Sequence, residues 1–287
     1  MKRSQLLPEL GKKTYVMGIL NLTTDSFSGD GLLTRPSVSQ AALEQAGQFI
    51  EAGADILDLG AESTRPGYIS VSAQEEIERL VPVIQSLRKC YPHVLLSIDT
   101  YKASVAAACL AEGAQIINDV WGFKYDAEMA GVVQSFGATA VLMHNRTTPK
   151  STQQTELGGR YVEVKYKDVV AAVLKGLGES LAIAQKAGIP DDRLVIDPGI
   201  GFAKTTEHNL ELLKKMDELE VLGYPILLGI SRKSFIGYTL NLPPKQRLEG
   251  SLAANAWGVM HGADILRVHD VRETVLLARM LDAIRLS

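Results

Sequence analysis

A short block recurs along the chain: Gly53-Ala54-Asp55-Ile56-Leu57 returns as Gly262-Ala263-Asp264-Ile265-Leu266. Looser copies stand at Gly113-Ala114-Gln115-Ile116-Ile117 and Gly137-Ala138-Thr139-Ala140-Val141. Each reads as a glycine closing a helix, a short turn, then a strand. That joint is the αβ connection of a β/α fold, so its recurrence confines the chain to a series of such units.

Eight runs rich in β-branched and apolar residues fit the series, at 15–21, 55–60, 94–99, 116–119, 138–144, 194–197, 225–231 and 265–269. They are mostly apolar instead of alternating, as strands buried on both faces are. Helix-like stretches lie between them, at 37–52, 72–89, 101–112, 126–136, 169–187, 207–216, 250–261 and 271–284. Ser72 stands three residues before Glu75, the spacing of a capping box. Val169, Val173, Leu177 and Leu181 form an apolar stripe at helical spacing. No linker-like composition interrupts the 287 residues. The expectation is therefore α/β: a single (βα)8 TIM-barrel domain over 1–287, with a short N-terminal extension and long βα loops. An open doubly wound sheet is the competing architecture.

Composition narrows the function. Lys plus Arg is 30 and Asp plus Glu is 33, a formal charge of −3, which speaks against a nucleic-acid partner. No apolar run approaches the ~18 residues that span a bilayer. The first ten residues have no apolar core of the kind a signal peptide needs. Cys90 and Cys109 are isolated, so they read as reduced thiols in or near the core of a cytoplasmic protein.

A barrel of this kind carries its chemistry at the C-terminal ends of its strands. Those ends supply Asn21, Asp58, Asp99, Asn118, His144, Asp197, Ser231 with Arg232 and Lys233, and Arg267 with His269. Asp99, Asn118 and Asp197 offer acceptors and an amide, suited to a flat heterocycle with an edge of N–H donors. Asn21, Lys233, Arg267 and His269 offer donors and positive charge, suited to a phosphate or pyrophosphate leaving group. The stretch Asp197-Pro-Gly-Ile-Gly-Phe202 lacks the third glycine of a dinucleotide loop and lies late in the chain. Its glycines read better as points of close backbone approach. There is no Gly-Lys-Ser/Thr phosphate loop and no His pair spaced for zinc. Trp121 and Trp257 read as packing residues.

These segments resemble the dihydropteroate synthases, a family of pterin-binding enzymes. The matching stretches are Gly18-Ile-Leu-Asn-Leu-Thr-Thr-Asp-Ser-Phe-Ser28, Asp58-Leu-Gly-Ala-Glu-Ser-Thr-Arg-Pro-Gly67, Ser97-Ile-Asp-Thr100 and Ile117-Asn-Asp-Val120. They continue through Met143-His-Asn-Arg146, Asp197-Pro-Gly-Ile-Gly-Phe202, Gly229-Ile-Ser-Arg-Lys-Ser234 and Arg267-Val-His-Asp270. The resemblance implies that para-aminobenzoate displaces pyrophosphate from 6-hydroxymethyl-7,8-dihydropterin pyrophosphate, with Mg²⁺ assisting. It implies that Asp99, Asn118, Asp197 and Lys233 hold the pterin, with Met143 and Phe202 packed around it. Asn21 would take Mg²⁺ or a pyrophosphate oxygen, while Thr64, Arg267 and His269 bind the pyrophosphate. Phe27, Pro66 and Ser234 would form the para-aminobenzoate pocket. A homodimer and sulfonamide sensitivity are also implied.

The sequence departs from the family where Thr24 replaces the usual proline of the first loop and where Gly29-Asp30 shifts the Asp-Gly order. The segment 153–160 reads as a surface loop. Two other functions fit part of the pattern. A methyltetrahydrofolate:corrinoid methyltransferase would use the same pterin set, and a pterin-binding paralogue would bind without catalysis. The segment 63–67 and the cations near Ser231 and Arg267 favour pyrophosphate chemistry over both.

Overall fold

The structure is a computed structural model and describes residues 6–23, 38–62, 70–146, 152–153, 155–162 and 164–287. In chain order its elements begin with β1 (Tyr15–Asn21), α1 (Val38–Ala52), β2 (Ile56–Gly60), α2 (Ala73–Cys90), β3 (Leu95–Asp99) and α3 (Ala103–Ala111). Then come β4 (Ile116–Asp119), α4 (Met129–Phe136), β5 (Thr139–Met143), β6 (Thr152–Gln153), β7 (Arg160–Tyr161) and α5 (Val169–Lys186). The series closes with β8 (Leu194–Asp197), α6 (Thr206–Lys214), β9 (Ile226–Leu228), α7 (Ser234–Leu240), α8 (Leu248–Met260), β10 (Ala263–Val268) and α9 (Val271–Leu286). Eight strands close into a parallel barrel in the order β1-β2-β3-β4-β5-β8-β9-β10, with β10 pairing back onto β1. The barrel expectation holds and the open sheet does not.

The recurring block turns out to stitch the base of the barrel. Gly53 and Gly262 both take left-handed φ, +100° and +95°, which only glycine adopts cheaply. The aspartate two residues on then reaches the neighbouring strand. Asp55 Oδ2 accepts the N–H of Val16 at 2.9 Å, and Asp264 Oδ2 accepts that of Ile226 at 2.9 Å. In the looser copy Gln115 Oε1 accepts the N–H of Leu96 at 2.9 Å. The repeat is thus a structural joint and has no part in the chemistry.

Alternation along each strand sorts side chains into two cores. One lies between barrel and helices and includes Leu57, Leu59, Leu96, Ile98, Leu142 and Ile196. The smaller one fills the barrel's lower interior with Tyr15, Met17, Ile56, Ile116, Val141, Val195, Leu227 and Ile265. Leu7 joins this inner cluster, so the N-terminal extension plugs the base of the barrel. Two residues further along each strand, on the same inward side, the character changes. Ile56 is followed by Asp58, Ile116 by Asn118, Val141 by Met143, Val195 by Asp197, and Ile265 by Arg267. The barrel therefore has an apolar lower tier and a polar upper tier.

Local expectations fare unevenly. Ser72 Oγ accepts the N–H of Glu75 at 3.2 Å and caps α2. The stripe on α5 is buried along its length. Helix α7 was not legible, because the run 225–231 reads as one strand to its end. The strand stops at Leu228; Arg232 then takes φ +55° and Lys233 N–H returns to the Ile230 carbonyl at 3.1 Å. The 153–160 loop is flanked by the two-residue strands β6 and β7, which pair antiparallel. Cys109 is buried as expected, but Cys90 is exposed at the end of α2. Trp257 is half exposed on α8, stacked on His261, instead of packed inside.

Candidate active site

The upper tier is wired across the barrel. Arg267 Nε donates to Asp58 Oδ2 at 2.6 Å and its Nη2 to Asp99 Oδ2 at 2.7 Å. Asp58 Oδ2 also accepts from Asn118 Nδ2 at 3.3 Å. One guanidinium thus faces two carboxylates, and the other oxygen of each, Asp58 Oδ1 and Asp99 Oδ1, is buried without a hydrogen-bond partner. Burial works against the Arg267 charge, yet Asp58 and Asp99 outweigh it and raise the pKa. Asp99 cannot be fully neutralised in turn. Burial, with the Asp58 charge beside it, pushes Asp99 up to about 7 against the pull of Arg267. The cluster leaves two buried acceptor oxygens without donors, which an N–H edge would supply.

A second group comes from the turns after β8 and β9. Asp197 Oδ1 accepts the N–H of Gly199 at 2.7 Å. Lys233 donates to the Ile200 carbonyl, and its ammonium stands 4.7 Å from the centre of the Phe202 ring. Burial raises the Asp197 pKa, with Lys233 opposing, and burial draws Lys233 down to about 8, with Asp197 opposing. Between the two groups lies Gly229. A Cβ there would sit 3.8 Å from Arg267 Cβ and 4.0 Å from Asp197 Oδ2, so its absence keeps the floor open. His269 is anchored by Ser231, whose Oγ lies 3.1 Å from Nδ1 and accepts the backbone N–H at 3.2 Å.

The structure brings together Asp99, Asn118, Asp197 and Arg267 on inward positions of four strands, with Met143 buried at the end of β5. Lys233, Phe202, His269 and Ser234 join from the turns above, Ser234 as the first residue of α7. Asn21 ends β1 opposite Gly60. Mg²⁺ keeps several waters and takes few protein ligands beside substrate phosphates; with a pyrophosphate supplying the charge, the neutral amide oxygen of Asn21 at this rim would be its protein ligand. No cluster of three or more His, Cys, Asp or Glu suited to a metal occurs among the described residues. Phe27, Thr64 and Pro66 lie outside the described residues, as does Thr24.

Sequence reasoning assigns no role to two participants. Asp58 is fully buried and orients both Arg267 and Asn118. Its signal was its inward position two residues after Ile56. Lys204, also buried, lies behind the Asp197 turn.

A family model described as pterin binding enzyme matches residues 17–269. The chain belongs to that family. A dihydropteroate synthase of Clostridium beijerinckii is 45% identical over 276 residues, covering 96% of both chains. Among solved structures, the dihydropteroate synthase of Clostridium difficile, determined in the presence of pteroic acid, superposes with a TM-score of 0.86 at 43% identity. It covers 96% of this chain and 98% of its own. The Xanthomonas albilineans dihydropteroate synthase with 4-aminobenzoic acid gives a TM-score of 0.85 at 39% identity, covering 96% and 94%.

Among its described residues this pterin-binding barrel holds five carboxylic acids whose pKa burial raises, which gives a test by pH. Burial is the leading cause in each case: Asp99 and Glu76 are pushed up to about 7, Asp119 and Asp264 to about 6, and Asp197 is raised. A carboxyl whose folded pKa exceeds its unfolded value binds more protons when folded. Stability is then lost as pH rises from the unfolded pKa, ~4, through the folded one. His144, drawn down to about 2, and Lys204, drawn down to about 7, oppose this, burial being the leading cause for both, but the acids outnumber them. The ligand-free protein should therefore melt at a lower temperature at pH 7 than at pH 5.5. A melting temperature that climbs across this interval would contradict proton uptake by these buried acids.

Proposed function

We propose that the chain joins para-aminobenzoate to 6-hydroxymethyl-7,8-dihydropterin pyrophosphate, giving 7,8-dihydropteroate and pyrophosphate. The observation that carries this is the upper tier: Asp58, Asp99, Asn118 and Asp197 at the strand ends, Arg267 bridging two of those carboxylates, and Lys233 and His269 in the turns that follow. Asp99, Asn118 and Asp197 meet the pterin's N–H edge, and Lys233 binds beside them. Met143 and Phe202 pack on the ring. Arg267 and His269, with Thr64 and Asn21, take the pyrophosphate, and Phe27, Pro66 and Ser234 form the para-aminobenzoate pocket. When bound, Mg²⁺ at Asn21 supplies further positive charge to the leaving group.

An aromatic amine is a weak nucleophile, so the leaving group governs the reaction. The C–O bond breaks first and pyrophosphate departs with the electron pair, its charge met by Arg267 and His269. Positive charge grows on the pterin methylene and is met by Asp99. The amine lone pair then forms the C–N bond, and the nitrogen gives up its extra proton to water. No covalent bond to the enzyme is needed.

The test is direct. Protein, Mg²⁺, the pterin pyrophosphate and para-aminobenzoate should yield dihydropteroate and pyrophosphate in equal amounts. Binding without product would favour a non-catalytic role, and methyl transfer from methyltetrahydrofolate to cob(I)alamin would favour the other enzyme.

The chain works in the cytoplasm, which suits its free thiols. No helix is long and apolar enough to cross a membrane among the described residues. It pairs as a homodimer through the outer faces of α8 and α9. On α9, Leu276, Met280 and Ile284 are exposed at successive i,i+4 positions, and α8 adds Trp257 and Met260. Such an apolar stripe on a soluble barrel marks a contact surface. Met280→Asp should convert the dimer to monomer in sedimentation; an unchanged sedimentation coefficient would exclude this face.

A further inference from the structure

Lys204 is 2% exposed, and its ammonium donates to three neutral acceptors. These are the Gly199 carbonyl at 2.9 Å, the Phe202 carbonyl at 3.1 Å and His144 Nδ1 at 3.1 Å, the imidazole taken as the Nε2–H tautomer. An ammonium has three donors and no acceptor, so this set satisfies it completely. Burying a charge without a paired carboxylate is costly to a fold, and an apolar side chain of similar length would cost less.

What the ammonium holds is the turn after β8. Within it Ala203 takes φ +47°, a left-handed conformation unfavourable for a residue with a Cβ. The Ala203 carbonyl accepts from Tyr166 Oη at 2.9 Å, and Gly201 N–H donates to Asn209 Oδ1 at 2.7 Å. The turn is equally tight on its other side. A Cβ on Gly199 would lie 2.0 Å from the His144 carbonyl oxygen, and one on Gly201 would lie 2.8 Å from Lys233 Cδ. The turn presents the Ile200 carbonyl and the Phe202 ring to Lys233. Through His144, the same ammonium ties the turn to the end of β5 beside Met143.

We propose that Lys204 is a positioning residue for pterin recognition: it clamps the left-handed turn so that Phe202, Ile200 and Lys233 form one preorganised wall of the pterin pocket. This rests on the pterin reading of Asp197, Phe202 and Lys233. Lys204 does not itself touch the substrate; it fixes the residues that do.

The test is calorimetric titration with 6-hydroxymethyl-7,8-dihydropterin pyrophosphate, in Mg²⁺ and without para-aminobenzoate. Lys204→Met should weaken binding about tenfold or more, the loss expected when charge-assisted bonds are removed. Its KM for para-aminobenzoate should stay within about twofold, because none of the three acceptors of Lys204 belongs to that pocket. Adding Ala203→Gly to Lys204→Met should recover about threefold or more, since glycine adopts the left-handed turn without the clamp. A purely structural lysine would show no such rescue. If Lys204→Met does not fold, His144→Leu decides, because it removes one acceptor and leaves the lysine. A loss of about threefold supports the clamp, and a change under about twofold overturns it. Lys204→Met binding within about twofold of wild type, or no recovery with Ala203→Gly, also overturns it. Wild-type protein giving no binding heat would remove the pterin reading itself, and this one with it.

Discussion

Arg267→Met should lower kcat/KM for the pterin pyrophosphate by about a thousandfold, near the upper end of the loss seen when one transition-state charge donor is removed. Two effects combine. The pyrophosphate loses a cation at the moment its charge develops. Asp58 and Asp99 lose the guanidinium that bridges them, leaving two buried carboxylates as neighbours. The second effect also touches the fold. Removing one partner of a buried ion pair costs about 3–5 kcal/mol, unless a carboxyl takes up a proton instead. Stability should therefore fall more at high pH than at low. Arg267→Lys separates the two contributions. It keeps a charge but cannot span both carboxylates with a planar fork, so it should recover stability better than rate. Arg267→Met retaining kcat/KM within about tenfold would remove Arg267 from the leaving-group site.

Asp99→Asn should lower kcat by about a hundredfold or more, while the KM for para-aminobenzoate changes little. The substitution keeps shape and replaces a carboxylate by a neutral amide. An amide still accepts from Arg267 but puts a donor in place of one oxygen that would accept from the pterin, and it carries no charge to meet a cationic methylene. Loss in kcat at unchanged KM would mark an interaction made mainly in the transition state. Loss confined to pterin affinity would instead make Asp99 a ground-state binding residue. Full activity would contradict its role altogether.

The barrel was legible because its signals are local. Glycine at the helix end, a turn and an apolar run recur within a few residues, and the count of runs fixes the closure. The polar upper tier was legible for the same reason, since most of the apolar runs end on a polar residue. What was not legible depends on contacts distant in sequence. Asp58 reads as one polar strand end among several until Arg267 is seen to donate to it across the barrel. Lys204 follows a glycine-rich turn, and nothing local shows that three acceptors enclose it. Helix α7 was hidden because the apolar run continues to Ser231, although β9 stops at Leu228 beside Gly229 and the left-handed Arg232 then turns the chain into the helix. Asp55 and Asp264 were legible as part of a repeated joint, but the bonds by which each stitches a neighbouring strand at the base were not.

The division of the upper tier matters only if pyrophosphate leaves ahead of the incoming amine. Single-turnover rates with the pterin methylene carrying two deuterium atoms in place of hydrogen test this directly. As the C–O bond breaks first, the methylene carbon flattens towards trigonal geometry and its C–H bending modes loosen. The deuterated substrate should then react more slowly than the protiated one at saturating para-aminobenzoate. Equal rates, with the chemical step limiting, would mean that the amine attacks as the bond breaks, and would contradict the separation of roles between Asp99 and Arg267.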